Sequence, residues 1–212
     1  LQTFVTGATP ELMDTVDRMY ADFPKVIIFV ALATYVALFW LFRSVVLPLK
    51  AVVMNAMSIL ASFGALVFVF QEGHFERLLG FTAEGFTEAT VPILLFSLVF
   101  GLSMDYEVFL LARIKEEYDA TGDNTHSVAV GMEKSGKIIT SAALILVLVS
   151  IGLATGDILI VKALGFGTAL AIFIDSTIVR ALLVPALMRI LSDLNWWAPG
   201  FLKGSQAKTG VP

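Results

Sequence analysis

Long apolar runs separated by short polar segments dominate the chain. Five of these runs are long enough, or nearly so, for a helix that crosses the apolar core of a bilayer, which takes about 20 residues. Pro24, Pro48 and Pro92 stand near the starts of the first three runs, where proline suits the first turn of a helix. The pattern predicts five transmembrane helices, with approximate bounds 26–42, 49–70, 91–112, 138–155 and 163–188.

The first polar segment places Leu12, Val16 and Met19 at helical spacing among acidic residues. This spacing predicts a short amphipathic helix, which we interpret as the end of a soluble domain at residues 1–23. Residues 71–90 mix polar residues with phenylalanine and leucine, which predicts a helix lying along the membrane interface.

Glycine and proline place the remaining boundaries. Gly122 and Asp123, inside the most charged segment, predict a turn followed by the N-cap of a helix that leads into the fourth span. Pro185 predicts a kink near the end of the fifth span. We expect a five-helix membrane domain at 24–190 and a tail at 191–212.

Composition supports the membrane assignment. Of the 212 residues, 58% are hydrophobic and only 15% are charged, and the mean hydropathy is +0.87. These values are typical of an integral membrane protein of the all-α class. The chain has no cysteine, and Gly165-Phe166-Gly167 lacks the spacing and the lysine of a phosphate-binding loop. We therefore expect the lipid bilayer as partner, no nucleic acid, no metal, no cofactor and no enzymatic activity.

Basic residues are unevenly divided between the two sides of the predicted bundle. Because positive charge accumulates in cytoplasmic loops, the division predicts an extracytoplasmic N-terminus and a cytoplasmic C-terminus. Nine residues share one side (Arg43, Lys50, Arg113, Lys115, Lys134, Lys137, Arg189, Lys203 and Lys208), four share the other (Arg18, Lys25, Arg77 and Lys162), and Arg180 lies within a span.

Asp105 lies inside the third predicted span, where an ionised carboxylate costs at least about 2.5–3.5 kcal/mol. Ser97 and Gly101 precede it at intervals of four residues, so two small residues stack beside the acid and leave room for water or a close partner. Tyr106 is displaced by about 100° and can offer its hydroxyl to a carboxylate on a neighbouring helix. We expect Asp105 to take up and release protons; the alternative is a structural hydrogen bond.

Asp175 is the second deep acid, and Arg180 follows five positions later, about 140° around an α-helix. This spacing argues against a direct pair within the helix. We expect Asp175 to face the third span and Arg180 to find another acid or to extend to the membrane surface.

Two further side chains are supporting candidates. Glu107 is on nearly the opposite face of its helix from Asp105, which predicts a wetted or interfacial carboxylate, with a place in a proton relay as the alternative. Ser141, at the start of the fourth span, is a candidate for a hydrogen bond across helices, with helix packing as the alternative. Aspartates on two spans also occur in intramembrane aspartyl proteases, but Asp105 lacks their Gly-x-Gly-Asp setting.

Several segments together resemble one family. The sequence GLSMDYEVFL at 101–110 closely resembles the Asp-Tyr helix of MmpL-type transporters, in the resistance-nodulation-division (RND) superfamily. Thr6-Gly7 looks like the end of the second extracytoplasmic domain of that family. The sequences IDSTIVR at 174–180, LVPA at 183–186 and WWAP at 196–199 are similar to its last helix and exit.

The resemblance implies that the five spans are the last five of a twelve-helix transporter, whose N-terminal half would be a partner of this one. It also implies that proton flow through the bundle, in a bacterial plasma membrane, drives export of lipids or other amphiphiles. By position, Asp105 and Tyr106 match the relay pair, and Asp175 and Arg180 match its supporting acid and base. Homo-oligomerisation stays open, and the alternative function is a lipid-binding or sensing module similar to sterol-sensing domains, which also have five spans.

Overall fold

Five long helices form a bundle in the computed structural model, which describes residues 8–198. Their order follows the predicted spans, and a short helix, α3, lies between the second and the third. The elements are α1 (Ala8–Phe42), α2 (Val46–Leu66, continued by a π-helical stretch Val67–Gln71), α3 (Glu76–Leu79), α4 (Thr90–Thr121), α5 (Asn124–Ala154), α6 (Leu159–Ile174, continued by a π-helical stretch Asp175–Leu183), α7 (Val184–Leu191) and a 3₁₀ helix (Ser192–Trp196).

All five predicted spans are confirmed as helices long and apolar enough to cross a membrane. Each helix extends beyond its apolar run, since α4 continues through the charged residues to Thr121 and α5 begins at Asn124. The chain is therefore a multi-pass membrane protein with an all-α bundle. Of the predicted domain end at 1–23 and the predicted tail at 191–212, residues 1–7 and 199–212 lie outside the described residues.

The expected break before Pro24 is wrong, because α1 runs through this proline as one helix of 35 residues. Proline has no N–H to donate to the carbonyl of Tyr20, so the helix loses one hydrogen bond at this point. A long apolar helix tolerates that loss when neighbouring groups and local adjustment satisfy the carbonyl. The amphipathic segment and the first span are consequently continuous.

The expected interfacial helix at 71–90 is also largely wrong. Only Glu76–Leu79 is helical, a single turn that lies between left-handed residues at Phe75 (φ 68°) and Gly80 (φ 63°). Lys162, near the start of α6, donates hydrogen bonds to the carbonyls of Leu79 (2.5 Å) and Gly80 (2.9 Å). The segment is thus held to the end of the bundle by a buried lysine; we call this end the Lys162 end.

The turn predicted at Gly122 and Asp123 is confirmed. Gly122 ends α4 with a φ of 70°, in the left-handed region that favours glycine. The Asp123 carboxylate accepts hydrogen bonds from the backbone N–H groups of Thr125 (2.8 Å) and His126 (3.0 Å), which is the geometry of an N-cap.

The opposite end of the bundle is closed by the C-terminal 3₁₀ helix; we call it the Trp196 end. The Trp196 ring stacks on Tyr118 with centroids 4.1 Å apart, and its Nε1 donates to Asn124 Oδ1 at 2.9 Å. The Ser44 hydroxyl donates to the Asn195 carbonyl at 2.5 Å. These contacts bring together the α1–α2 turn, the α4–α5 turn and the 3₁₀ helix.

Small residues let the helices approach closely in the core between α2, α4, α5 and α6. A Cβ on Gly165 would lie 2.5 Å from the backbone nitrogen of Ala154, so α5 and α6 pack backbone to backbone at this point. On α2, the Ser62 hydroxyl donates to the Gly167 carbonyl of α6 at 2.7 Å. Ser62 thus joins α2 to α6, as small polar residues do between membrane helices.

Candidate functional site

Asp175 and Arg180 form an ion pair within the π-helical stretch, with 2.6 Å between Oδ2 and Nη2. The expectation that their spacing rules out a pair within the helix is therefore wrong. In a π-helix each N–H bonds to the carbonyl five residues earlier, as Val184 does to Val179. Residues five apart therefore come closer to one another around the axis than they do in an α-helix. The stretch ends just before Pro185, where the sequence predicts a kink.

Both charges of this pair are buried, Asp175 with 5% and Arg180 with 3% of its surface exposed. Asp175 faces α4, as expected: the hydroxyls of Ser103 on α4 and Ser58 on α2 lie near its carboxylate. A buried ion pair is maintained when further hydrogen bonds satisfy its remaining donors and acceptors, and the Ser103 hydroxyl accepts one from Arg180.

Arg180 joins the pair to the Asp-Tyr segment of α4. Its Nη2 donates to the backbone carbonyl of Ser103 and, at 3.0 Å, to the Ser103 hydroxyl. Its guanidinium carbon lies over the Tyr106 ring, 5.3 Å from the centroid. A guanidinium this close to an aromatic face is attracted by the negative face of the ring. The α4 backbone and the Tyr106 ring are therefore positioned by a charge on the last long helix.

Asp105 lies on the other side of α4, where it is exposed. Ser97 and Gly101, which share its face at four-residue spacing, are exposed as well, and a Cβ on Gly101 would meet no heavy atom of the described residues within 4 Å. Ser103, which lies near the Asp175 carboxylate, is two residues and so about 200° away from Asp105 around α4. The two acids therefore face opposite sides of this helix.

Glu107 is buried, with 2% of its surface exposed, so the expectation of a wetted or interfacial carboxylate is wrong. Its position four residues after Ser103 places it on the inner face of α4, where Arg180, Asp175 and Lys50 act on it electrostatically. The apolar run of α4 gives no sign of this, since the countercharges come from two other helices.

Lys50 is the residue that sequence reasoning missed. The sequence counts it only among the basic residues on one side of the bundle, yet the α2 helix buries it to 7% exposure. A signal was available, because Ser58 and Ser62 follow Lys50 at eight and twelve residues, so that all three lie within about 120° around α2. A polar stripe on an otherwise apolar helix indicates an inward face.

Ser141 is exposed on α5, on the outside of the bundle in this chain. Its predicted hydrogen bond across helices stays a prediction. Residues 8–198 contain no group of three or more His, Cys, Asp or Glu side chains placed to hold a metal ion. The polar groups that the described structure brings together are the Asp175–Arg180 ion pair, two further buried charges, Lys50 and Glu107, and the hydroxyls around them.

Comparison with known proteins connects this arrangement to a family. The model of the MMPL family matches residues 1–206, which include the Asp-Tyr segment of α4 and the π-helical stretch. The chain belongs to the MMPL family. The resemblance predicted from these two segments is thereby confirmed.

Several MMPL relatives are similar over nearly the whole chain. The mycolic acid-containing lipids exporter MmpL11 of Mycolicibacterium smegmatis is 46% identical over 198 residues, which are 93% of this chain and 21% of that protein. The heme uptake protein MmpL11 of Mycobacterium tuberculosis is 44% identical over 201 residues, 95% of this chain and 21% of that protein. The trehalose monomycolate exporter MmpL3 of Mycobacterium tuberculosis is 38% identical over 212 residues, 99% of this chain and 22% of that protein. The chain spans about a fifth of the length of these relatives.

Proposed function

We propose that the chain is the C-terminal membrane part of a proton-driven exporter of lipids or other amphiphiles, in a bacterial plasma membrane. Membership of the MMPL family and the relatives named as lipid exporters support the transport class. The observation that carries the proton role is Asp105, an acid on the exposed face of an apolar helix. Ser97 and Gly101 beside it leave space for a closely packed partner.

The exposed face of α4 is an unfavourable environment for a charge. An ionised aspartate against lipid costs at least about 2.5–3.5 kcal/mol, so Asp105 needs either a proton or a polar partner. A first half of the transporter that carries its own Asp-Tyr segment would supply that partner. Gain and loss of the proton on Asp105 then change its bond across the interface, and the helices shift with it.

The driving force is adequate for this role. One elementary charge that crosses the membrane releases roughly 2.3 kcal/mol per 100 mV of potential. In the proposed topology the Lys162 end faces outward and the Trp196 end faces the cytoplasm, as the distribution of basic residues predicts. Asp175 and Arg180 support the relay, because Arg180 holds the backbone and the Tyr106 ring next to Asp105.

The test is Asp105→Asn in the full-length transporter, with proton-driven export of a labelled lipid measured in vesicles. Asparagine keeps the shape of the side chain but does not titrate, so export should fall to the level seen with a protonophore. The matched control is Asp119→Asn, an exposed aspartate near the C-terminal end of the same helix, which should export normally. Undiminished export by Asp105→Asn would rule out the relay.

A lipid-sensing module without proton transport makes a different prediction. Its lipid binding should be the same at pH 5 and pH 8, and should survive loss of the carboxylates of both Asp105 and Asp175. In a proton-coupled exporter, by contrast, protonation of these acids changes the conformation, so that binding of the same lipid in vesicles depends on pH.

A further inference from the structure

Four buried charges meet on the inner side of the bundle, away from Asp105. They are Lys50 on α2, Glu107 on α4, and Asp175 and Arg180 in the π-helical stretch. Glu107 feels the charge of each of the other three. Two are positive and two are negative, so the cluster is neutral when all are ionised.

The cluster contains more polar atoms than protein partners. Asp175 and Arg180 pair directly, but Lys50 Nζ, Glu107 Oε1 and Arg180 Nε are buried without a hydrogen-bond partner among the described residues. On α2 the same is true of Ser58 Oγ and of both polar atoms of the Asn55 amide. A buried polar atom left unpaired costs about 1–3 kcal/mol, so a set of this size is rare unless water satisfies it.

The buried polar groups of α2 connect one end of the bundle with the ion pair. Lys50 lies one turn into α2, near the Trp196 end, and Ser58 lies eight residues, or about 12 Å, further along the helix, near the Asp175 carboxylate. Ser103 and Glu107 on α4 are separated by one turn. These groups therefore extend from the Trp196 end to the Asp175–Arg180 pair.

We propose that Lys50, Asn55, Ser58 and Glu107 enclose an internal water site, which hydrates the Asp175–Arg180 pair by a route separate from the Asp105 face. Buried waters in proteins make about three hydrogen bonds to groups that are otherwise unsatisfied, and the site offers donors and acceptors of both kinds. Water bridges Lys50 Nζ and Glu107 Oε1, two opposite charges that have no direct partner.

Met54 provides a reporter inside this site. It lies between Lys50 and Ser58 on the face of α2, and 2% of its surface is exposed. Met57, three residues further along, is exposed on the outside of the same helix, where lipid would cover it. An X-ray pulse splits water into hydroxyl radicals, which oxidise methionine within contact distance of the water that formed them.

The experiment is radiolytic labelling of the full-length protein in lipid vesicles, with the oxidation of Met54 and Met57 measured by mass spectrometry. We expect Met54 to be oxidised severalfold faster than Met57 in the wild type. Asn55→Leu fills the site with apolar atoms and should remove most of that labelling, whereas the control Val53→Leu, on the outer face, should not.

Equal labelling of the two methionines in the wild type would overturn the water site even if Asn55→Leu does not fold. Unchanged Met54 labelling in a folded Asn55→Leu variant would overturn it as well. Asp105→Asn, which tests the proposed function, should leave Met54 labelling intact. Labelling of Met54 therefore tests the water site, and the export assay separately tests the proton role of Asp105.

Discussion

Asp105 and Asp175 are both aspartates in long apolar helices, yet the bundle provides for them differently. Asp175 is buried beside Arg180, with the hydroxyls of Ser58 and Ser103 near its carboxylate, so its charge is met within the chain. Asp105 is exposed on the far side of α4. The comparison shows two ways to stabilise a charge inside a membrane. Side chains of the same bundle can pair with it, or a second protein surface can pack against it. The first arrangement supports the fold, and the second leaves the Asp105 carboxylate exposed, as the proposed function requires.

The largest effect on stability is expected from Arg180→Met, which leaves the Asp175 carboxylate buried without its partner. Removing one member of a buried pair costs about 3–5 kcal/mol, because the remaining charge is uncompensated. The free energy of unfolding in mixed detergent micelles, followed by tryptophan fluorescence, measures the loss. Asp105→Asn should change the same quantity by no more than about 0.5 kcal/mol, as for other exposed positions.

Two variants make the Arg180 result specific. Arg113→Met is the same chemical change in an exposed pair with Glu116 and should cost only about 0–1 kcal/mol. The double variant Asp175→Asn, Arg180→Met removes both charges and should recover part of the stability. If Arg180→Met is no less stable than Arg113→Met, the buried pair does not support the fold.

A smaller loss is expected from Gly165→Ala, on the packed side of the bundle. The new Cβ would lie 2.5 Å from the Ala154 nitrogen and 2.6 Å from the Ser150 carbonyl oxygen, so α5 and α6 must move apart. Overpacking of this kind costs about 1–3 kcal/mol. The same unfolding measurement gives the value.

Gly101→Ala is the matched substitution on the open side of α4. Its Cβ would meet no described atom within 4 Å, so the unfolding free energy of this chain should not fall. If a second bundle packs on this face in the full-length transporter, export by Gly101→Ala should decrease all the same. Equal stability losses for the two glycines would contradict the division into a packed and an open side.

The sequence predicts the helices far better than it predicts the charge pairs. Apolar runs set the five spans, and Gly122 with Asp123 set the turn before α5, because these signals are local in the chain. The Asp175–Arg180 pair is missed because a spacing argument assumes α-helical winding, whereas the backbone there is π-helical. Burial of Glu107 is missed because its countercharges lie on α2 and on the last long helix. Contacts of this kind depend on tertiary packing, which no local pattern encodes.

The smallest effect on stability is expected from Tyr106→Phe. This variant separates the role of the Tyr106 ring, which contacts Arg180, from the role of its hydroxyl. The ring under the Arg180 guanidinium remains, so the unfolding free energy should be unchanged, whereas Tyr106→Leu removes the ring and should cost about 0.5–2 kcal/mol. If the hydroxyl serves the relay at Asp105, Tyr106→Phe nevertheless lowers proton-driven export in vesicles. Normal export by Tyr106→Phe would assign the tyrosine to the Arg180 side alone and leave Asp105 as the one proposed relay residue of the Asp-Tyr segment.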